Sequence, residues 1–243
     1  DLSATELGTV TGTKRVSMAN NNTKLSIVVP AGDMFVYDAS ADTFVQVTPP
    51  DVASFVVFKD GYYVFSASDG RTFFNSKIND PTQFEGSHFG TAEINPDLIV
   101  GLIVNHNQLY VLGEETIEVF ATVGGTGFPF LRIAGQSSQK GIYAPFSAIN
   151  YNDDWVWIGG GYNERASIWG MAGTSQIYNI STDAIDNEIN KFTRDELREN
   201  AFALTFSEDN QLYVAFTFVS ENDRIPSKTF VYNATSSRLL GKR

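Results

Sequence analysis

Residues 97–123 read DLIVGLIVNHNQLYVLGEETIEVFATV and carry the pattern that decides the fold. Polar turns at 105–107 and 113–115 separate three apolar or alternating runs, which is typical of consecutive antiparallel strands. The middle run, 109–112, is apolar on both faces and too short for a helix, so it predicts an interior strand covered on both sides. The last run, 116–120, alternates and carries a charge, which predicts an outer strand. The stretch therefore predicts a three-stranded meander.

The same unit recurs along the chain, in the segments 27–47, 56–78, 149–172 and 204–234. Each has an apolar run, a Gly/Asn/Asp turn, an aromatic-rich run, a second polar turn and a third run. The turn residues Asp60, Asn107, Asp154 and Asn210 are separated by 47 (107−60), 47 (154−107) and 56 (210−154) residues. A period of this length is typical of a β-propeller blade.

Two intervals depart from the period. The first, from Gly32 to Asp60, is only 28 (60−32), which indicates either a shortened first copy or a different pivot residue. The last is longer because of an insertion at about 182–200. Within it, Thr193 followed by Glu196 fits a helix capping box, and the residues after Thr193 favour a short helix. We therefore predict an all-β propeller of about five antiparallel blades, with one short helical insertion and room for further blades.

Composition supports one substantial core. The chain has 243 residues, 42% of them hydrophobic and 13% aromatic, together with 20 glycines. Such a chain buries roughly 70–75% of its unfolded surface, and its aromatic and turn residues favour short strands. We interpret residues 1–243 as a single propeller domain and expect it to be a piece of a longer chain.

Charge and cysteine content bear on function. The absence of cysteine leaves no disulfide and no cysteine-bearing metal site. The net charge is −11, from 17 basic and 28 acidic side chains, and the basic residues form only the short clusters Lys14-Arg15 and Lys242-Arg243. Nucleic-acid binding relies on clustered cations, so we expect no direct sequence-specific nucleic-acid binding. No apolar run is long enough for a membrane span.

The connections between modules contain the candidate site residues. The stretch 79–96 is interpreted as a loop, and its His88 would be a general base only beside Glu85 or Glu93. His106 lies at a predicted hairpin tip. Without a nucleophile or paired carboxylates nearby, both histidines are more typical of surface or packing residues. The stretch 124–146 begins with glycines but lacks the Gly-Lys-Ser/Thr ending of a phosphate loop. We interpret it as a long exposed connection that ends in a turn at 139–141.

Acidic residues give two weaker candidates. Asp153 and Asp154 beside Trp155 and Trp157 resemble carbohydrate-binding sites, but paired acids act on a glycosidic bond only when their carboxyl groups face one another. Packing between blades is the favoured interpretation of the tryptophans. A second group, Asp183, Asp186 and Glu188, does not follow the calcium-loop pattern and is interpreted as helix-start acids. No catalytic, metal or cofactor-binding residue is therefore assigned, and no cofactor is expected.

Several segments together resemble a known family. These are 15–19 (RVSMA), 97–101 (DLIVG), 113–120 (GEETIEVF), 139–142 (QKGI) and 231–237 (VYNATSS). In this order, over about residues 15–237, the chain resembles the packaged-DNA stabilisation proteins, or tail accessory factors and tail hubs, of short-tailed Salmonella-type phages. The run of Thr, Ile, Glu and an aromatic residue within 116–120 is the most specific segment, and none of the segments is a catalytic signature.

The resemblance implies a structural virion protein rather than an enzyme. It implies a homo-oligomeric ring beneath the portal that plugs the channel, stabilises packaged DNA and provides docking sites for the tail needle and tailspikes. The chain is shorter than the family pattern, which leaves the completeness of the propeller open. The expected location is the virion tail, after assembly in the host cytoplasm. The alternatives are a propeller glycosidase or lectin and a cellular protein-interaction propeller. The long connections 79–96, 124–141 and 182–200 are the expected partner surfaces.

Overall fold

The computed structural model describes residues 4–92, 97–125, 127–220 and 227–239. They form five antiparallel sheets that follow one another along the chain as the blades of a β-propeller. Within blades 1, 2, 3 and 5, consecutive strands are neighbours in the sheet, whereas blade 4 begins with two short strands that both pair with the strand after them. The first strands of blades 1, 2 and 3 pack against one another, as do those of blades 4 and 5, so this edge of each sheet forms the hub.

The strand bounds follow the repeat. Blade 1 contains β1 (Ser17–Asn20), β2 (Lys24–Val28), β3 (Met34–Asp38) and β4 (Thr43–Val47); blade 2 contains β5 (Ala53–Lys59), β6 (Tyr62–Ala67), β7 (Thr72–Lys77) and β8 (Asp80–Thr91); blade 3 contains β9 (Ile99–Asn105), β10 (Gln108–Gly113), β11 (Ile117–Thr122) and β12 (Phe130–Ser138).

Blades 4 and 5 are less regular. The strands of blade 4 are β13 (Gly141–Ile142), β14 (Ile149–Tyr151), β15 (Asp154–Gly160), β16 (Ser167–Ala172) and β17 (Gln176–Asn179), with a 3-10 turn at Pro145–Ser147; blade 5 contains β18 (Phe202–Glu208), β19 (Gln211–Phe218) and β20 (Lys228–Asn233). The helices are α1 (Asp183–Ile189), α2 (Arg194–Asn200) and α3 (Ala234–Leu239). None of these described helices is long and apolar enough to span a membrane.

Turn chemistry explains the repeated hairpins. The turn between the first and second strands contains Asp60 in blade 2, His106-Asn107 in blade 3 and Asp209-Asn210 in blade 5, all with positive φ. Asn and Asp are enriched in this left-handed conformation, and two-residue hairpins require it. The polar dipeptides therefore set both the turn and the strand register.

The core lies between the blades rather than within one. Four hydrophobic clusters join blades 1 and 2, 2 and 3, 3 and 4, and 4 and 5. The interior strand predicted at 109–112 is confirmed as part of β10. Leu109 and Val111 belong to the cluster shared with blade 2, whereas Tyr110 and Leu112 belong to the cluster shared with blade 4. Each is at most 1% exposed, so both faces of β10 are covered.

Three assignments of strands and connections were wrong. The run 116–120 is not an outer strand, because β12 pairs with β11 on its far side. The stretch 124–141 is therefore not simply an exposed connection, since it contains β12. Likewise the stretch 79–96 is mainly the twelve-residue strand β8. Its residues 93–96 lie outside the described residues.

The first repeat was placed on the wrong turn. The first-to-second-strand turn of blade 1 lies at Asn21-Asn22, between β1 and β2. The interval to Asp60 is therefore 38 residues (60−22) rather than 28. This shift explains the short first interval.

The insertion contains two helices where one was predicted. Thr193 caps α2 as expected, because it accepts a hydrogen bond from the Glu196 amide at 3.2 Å while the Glu196 carboxylate accepts one from the Thr193 amide at 2.8 Å. Ile189 of α1 and Leu197 of α2 are buried in the cluster between blades 4 and 5. The insertion therefore contributes to the hydrophobic core between blades 4 and 5.

Candidate functional site

One cavity of the described structure lies at the hub, where the first four blades and helix α2 approach one another. It has a volume of about 210 Å³. The lining residues come from the segment before β1, from β5 and β9, from the 3-10 turn and from the last turn of α2. They include Lys14, Arg15, Phe55, Ile99, Phe146, Arg198 and Glu199. We call this space the axial pocket. Its wall comes from residues that are far apart in sequence.

Arg15 occupies an aromatic corner of the axial pocket. Its guanidinium lies 3.8 Å from the centroid of the Phe202 ring and 5.8 Å from that of Phe146. The Phe146 ring also packs on Phe55, with 4.9 Å between centroids. Burial lowers the pKa of Arg15, although an arginine stays protonated at neutral pH. Cation–π contact therefore holds a positive charge at the hub.

The other cations of the axial pocket are paired with acids. Lys14 lies 3.6 Å from the Glu199 carboxylate, and Arg198 forms an ion pair with Glu114 of blade 3. Among the described residues, no ion pair involves Arg15. The axial pocket therefore offers one guanidinium and an aromatic wall, which suit the binding of an anionic group. Glu199 is the one carboxylate among its described lining residues, so they include no pair of facing carboxylates.

The two histidines lie on different blades. His88 is on β8, where its Nε2 lies 3.1 Å from the Glu85 carboxylate and its Nδ1 lies 3.4 Å from the Asn75 amide nitrogen. His106 occupies the β9–β10 turn and contacts the side chain of Asn105. Glu93, the other acid considered for His88, lies outside the described residues. The contacts that described side chains make with the two rings come from Glu85, Asn75 and Asn105, and they support structural roles for both histidines.

The tryptophans of blade 4 are core residues. Trp155 and Trp157 are both 0% exposed, and their rings stack with 4.4 Å between centroids. The Trp157 indole donates a hydrogen bond to the Gly141 carbonyl at 3.1 Å. Neither ring can offer its face to a sugar. The interpretation of these residues as packing between blades is confirmed, and the proposed carbohydrate platform is absent from this position.

Asp154 belongs to a tyrosine cluster that the sequence did not reveal. Tyr178 donates a hydrogen bond to the Asp154 carboxylate at 3.3 Å, and the hydroxyl groups of Tyr178 and Tyr151 also contact each other. Burial raises the pKa of Tyr178 to about 12, and it raises that of Tyr151 as well. Both phenols therefore remain neutral hydrogen-bonding groups. The cluster joins β14 and β15 to β17.

The acids of the insertion form ordinary polar contacts. Asp186 accepts a hydrogen bond from Ser167 at 2.8 Å. Glu188 pairs with Lys191 at 2.5 Å and with Lys228 of blade 5. Asp183 and Asp186 lie in the first turn of α1, as expected, but Glu188 lies near its end, so its assignment as a helix-start acid was wrong. In the described part of the chain, no group of three or more acidic or histidine side chains could hold a metal ion.

The glycines at 124–125 form an open turn before β12. Both have positive φ, and the next element in the described structure is the strand β12 rather than a helix. A phosphate loop needs a helix N-terminus behind its glycines. The rejection of a phosphate site at this position is therefore supported by the fold. The turn instead leads to Leu131, which is 63% exposed on β12.

Sequence comparisons relate the whole chain to a phage protein family. A family model described as "Bacteriophage P22 Gp10, beta-propeller" matches residues 1–243. The chain is 24% identical to the tail hub protein gp10 of Salmonella phage P22, in an alignment that covers 96% of this chain and 50% of that protein. This chain thus spans half of the length of that relative.

Solved structures support the fold alone. The N-terminal domain of Nup159 is 12% identical and has a TM-score of 0.51, with 90% of this chain and 60% of that chain covered. The dihydro-heme d1 dehydrogenase NirN, solved in complex with DHE, is 8% identical and has a TM-score of 0.53, with 90% and 46% covered.

Proposed function

This chain belongs to the phage-stabilisation family described by P22 Gp10, and from that membership we propose that it is a structural protein of a phage tail. The family match over residues 1–243 is the single observation that carries the proposal. In particular, the protein acts as a tail hub. It plugs the portal channel, stabilises the packaged DNA and provides docking sites for the tail needle and tailspikes.

The packing between blades suits a load-bearing role. Each blade shares a hydrophobic cluster with the next one along the chain, and the largest buried side chains lie in these clusters. Close-packed interiors have low compressibility and transmit strain. A disc built in this way keeps its shape when a pressurised genome bears on it. The proposed role therefore needs rigidity rather than chemistry.

The charge distribution favours blocking DNA rather than gripping it. Among the described residues, eight basic side chains form ion pairs with acids: Lys14, Lys24, Lys59, Arg132, Lys140, Lys191, Arg198 and Lys228. Binding to DNA requires cations that can replace the counterions of phosphates. With a net charge of −11, the protein repels DNA over most of its surface. Protein–protein contacts are therefore its proposed means of retaining the genome.

The proposed partner surfaces lie on the outer strands and the insertion. The connections first assigned to partners correspond to β8, β12 and the helices α1 and α2. Leu131 on β12 and Val123, directly after β11, are 63% and 59% exposed. Exposed apolar side chains on an edge strand are typical of interaction sites. We assign the contacts with the portal ring, needle and tailspikes to this outer rim, in a homo-oligomeric ring of the virion tail that is assembled in the host cytoplasm.

The proposal can be tested by removing the protein from its phage. Particles produced with the gene disrupted are expected to package DNA and then lose it, so that the genome becomes sensitive to added nuclease. Supplying the chain from a plasmid should restore protection. Particles that retain nuclease-resistant DNA without the protein would contradict the stabilising role.

A Leu131→Glu variant separates docking from folding. It should leave the thermal unfolding of the purified protein unchanged but reduce its incorporation into particles. A Ser40→Glu variant, at the exposed β3–β4 turn, serves as the matched control. Equal incorporation of both variants would move the docking surface away from β12.

A further inference from the structure

Blade 5 has a sheet face that no described residue of a following blade covers. Side chains alternate between the two faces of a strand. Val214, Phe216 and Phe218 of β19 point to blade 4 and are 0% exposed. The opposite face carries nine residues in cross-strand register, which we call the outward face: Phe202, Leu204, Phe206, Tyr213, Ala215, Thr217, Thr229, Val231 and Asn233.

Register places Val231 at the position that other blades bury. Counted from the turn between the first and second strands, its equivalents on the third strand are Phe73 in blade 2, Ile117 in blade 3 and Ile168 in blade 4. They are 0%, 0% and 3% exposed, because the next blade packs on each of them. Val231 is 56% exposed. Val231 is therefore apolar like its equivalents, but no described blade packs on it.

The first and second strands show the same contrast. Val64, Tyr110 and Val156 occupy one equivalent position on the second strands of blades 2 to 4, and all are 0% exposed. The matching residue in blade 5, Tyr213, is only half-buried. Its partner Phe206 stacks on it at 5.2 Å between centroids and is 38% exposed. Two aromatic rings therefore face outward where a neighbouring sheet would bury them.

The composition of the outward face also differs from that of a solvated sheet. None of its nine residues is charged. Antiparallel sheets that meet water on one side alternate between apolar and polar residues. An uncharged face with Leu, Phe, Tyr, Ala and Val is typical of the surface between two packed sheets.

Blade 1 is not the partner of this face in the described structure. No hydrophobic cluster joins blades 5 and 1 there, although four clusters join the other successive blades. The outer part of blade 1 is occupied by its own preceding segment. Gly8 packs directly on the Phe44 ring, where an added Cβ would lie 2.2 Å from the ring, and Gly12 packs on Val29. In the described structure, Arg15 contacts Phe202 of blade 5 near the hub, and Lys14 pairs with Glu199 of α2.

We propose that the outward face of blade 5 packs against a further antiparallel blade, the sixth of the ring. The occupant is a sheet because the face repeats the register and residue types of the four interfaces between blades. It is assigned to the same polypeptide because the tail hub relative is about twice as long as this chain. This arrangement of blades within one propeller does not depend on the proposed role in a phage tail.

Cysteine labelling tests the proposal, since the chain has no cysteine of its own. Val231→Cys would be made in the protein expressed from its complete coding region and in the 243-residue chain, and its reaction with N-ethylmaleimide would be timed. Ser40→Cys is the exposed control and Ile168→Cys is the buried, position-matched control. In the complete protein, Val231→Cys should react at least tenfold more slowly than Ser40→Cys and close to Ile168→Cys. In the 243-residue chain it should react like Ser40→Cys.

The other outcomes would overturn the proposal. Reaction of Val231→Cys within twofold of Ser40→Cys in the complete protein would show that the face meets solvent. Protection that disappears when the protein is diluted to a monomer would assign the face to a second copy instead. Hydroxyl-radical footprinting of the unsubstituted protein provides a check that needs no variant. Oxidation of Phe206 and Tyr213 should fall at least fivefold between the 243-residue chain and the complete protein, and equal oxidation would reject the sixth blade.

Discussion

The two faces of blade 5 carry similar residues in different surroundings. Phe216 on β19 points toward blade 4 and is 0% exposed, whereas Phe206 on β18 points away and is 38% exposed. Both faces are apolar, so the strand sequence alone does not distinguish them. The comparison shows that an alternating or apolar run indicates a sheet, but only the neighbouring blade decides whether that face stabilises the protein.

The largest expected effect is the difference in free energy of unfolding between truncation of Phe216 and truncation of Phe206. Phe216→Ala should lower the free energy of unfolding by about 3–5 kcal/mol, because it removes a large buried side chain and leaves a cavity. Phe206→Ala in the 243-residue chain should lower it by about 1 kcal/mol or less, since much of the ring already meets water. Denaturant unfolding of both variants provides the measurement. Equal losses would remove the contrast between the two faces.

A second comparison concerns lysines in covered and open surroundings. The Lys59 side chain is 1% exposed, pairs with Asp60 and donates a hydrogen bond to the side-chain oxygen Oδ1 of Asn107 at 2.8 Å across the boundary between blades 2 and 3. Lys228 on blade 5 pairs with Glu188 but is 37% exposed. Lys59→Met should lower the free energy of unfolding by about 1.5–3 kcal/mol, and Lys228→Met by about 1 kcal/mol or less. Chemical denaturation of the pair measures the difference, and a larger loss for Lys228→Met would contradict it.

The smallest expected effect is a dependence on pH at the open edge of blade 5. Hydrogen bonds from Lys191 and Lys228 lower the pKa of Glu188 to about 2. A carboxyl group with a lowered pKa in the folded state stabilises that state above its unfolded pKa, and this stabilisation is lost as the pH falls through the folded value. The protein should therefore lose stability between about pH 4.5 and 2.

Glu188→Gln isolates that contribution. Its melting temperature should depend less on pH below about pH 4.5 than that of the unsubstituted protein. Because Glu188 and its two lysine partners are partly exposed, added salt should reduce the difference in pH dependence between the variant and the unsubstituted protein. An identical acid profile for the variant and the unsubstituted protein would show that Glu188 makes no such contribution.

The sequence predicted the architecture well where local chemistry decides it. Polar turn residues such as Asp60 and Asn107 adopt the left-handed conformation that two-residue hairpins need, and the apolar run of β10 predicted coverage on both sides. The capping box at Thr193 is also local and was confirmed. These features depend on residues within a few positions of one another.

The errors arose where long-range packing decides. The charge of Glu118 suggested an outer strand, but Glu118 is 1% exposed and lies 3.8 Å from Arg132 on β12. The stretch that contains β12 was interpreted as a connection from its glycine-rich sequence. In the structure, the register of β12 with β11 is interrupted and Gly135 adopts a positive φ. A glycine inside a bulged strand resembles a loop when only the sequence is considered.

The axial pocket could not be predicted from local patterns at all. Arg15 and Phe202 meet there although 187 residues separate them (202−15). No motif marks either residue, because cation–π contact depends only on where the ring and the guanidinium are placed. The tyrosine pair Tyr151 and Tyr178 was missed for the same reason. Only the closure of the blades around a hub brings these groups together.

A reconstruction of the intact phage particle by electron cryo-microscopy, at a resolution that traces strands, tests the central claim most directly. We predict that the five blades described here form part of a ring in the tail, with β8 and β12 against neighbouring tail proteins and no channel left open for DNA. A mature particle that contains no density for this chain would contradict the account.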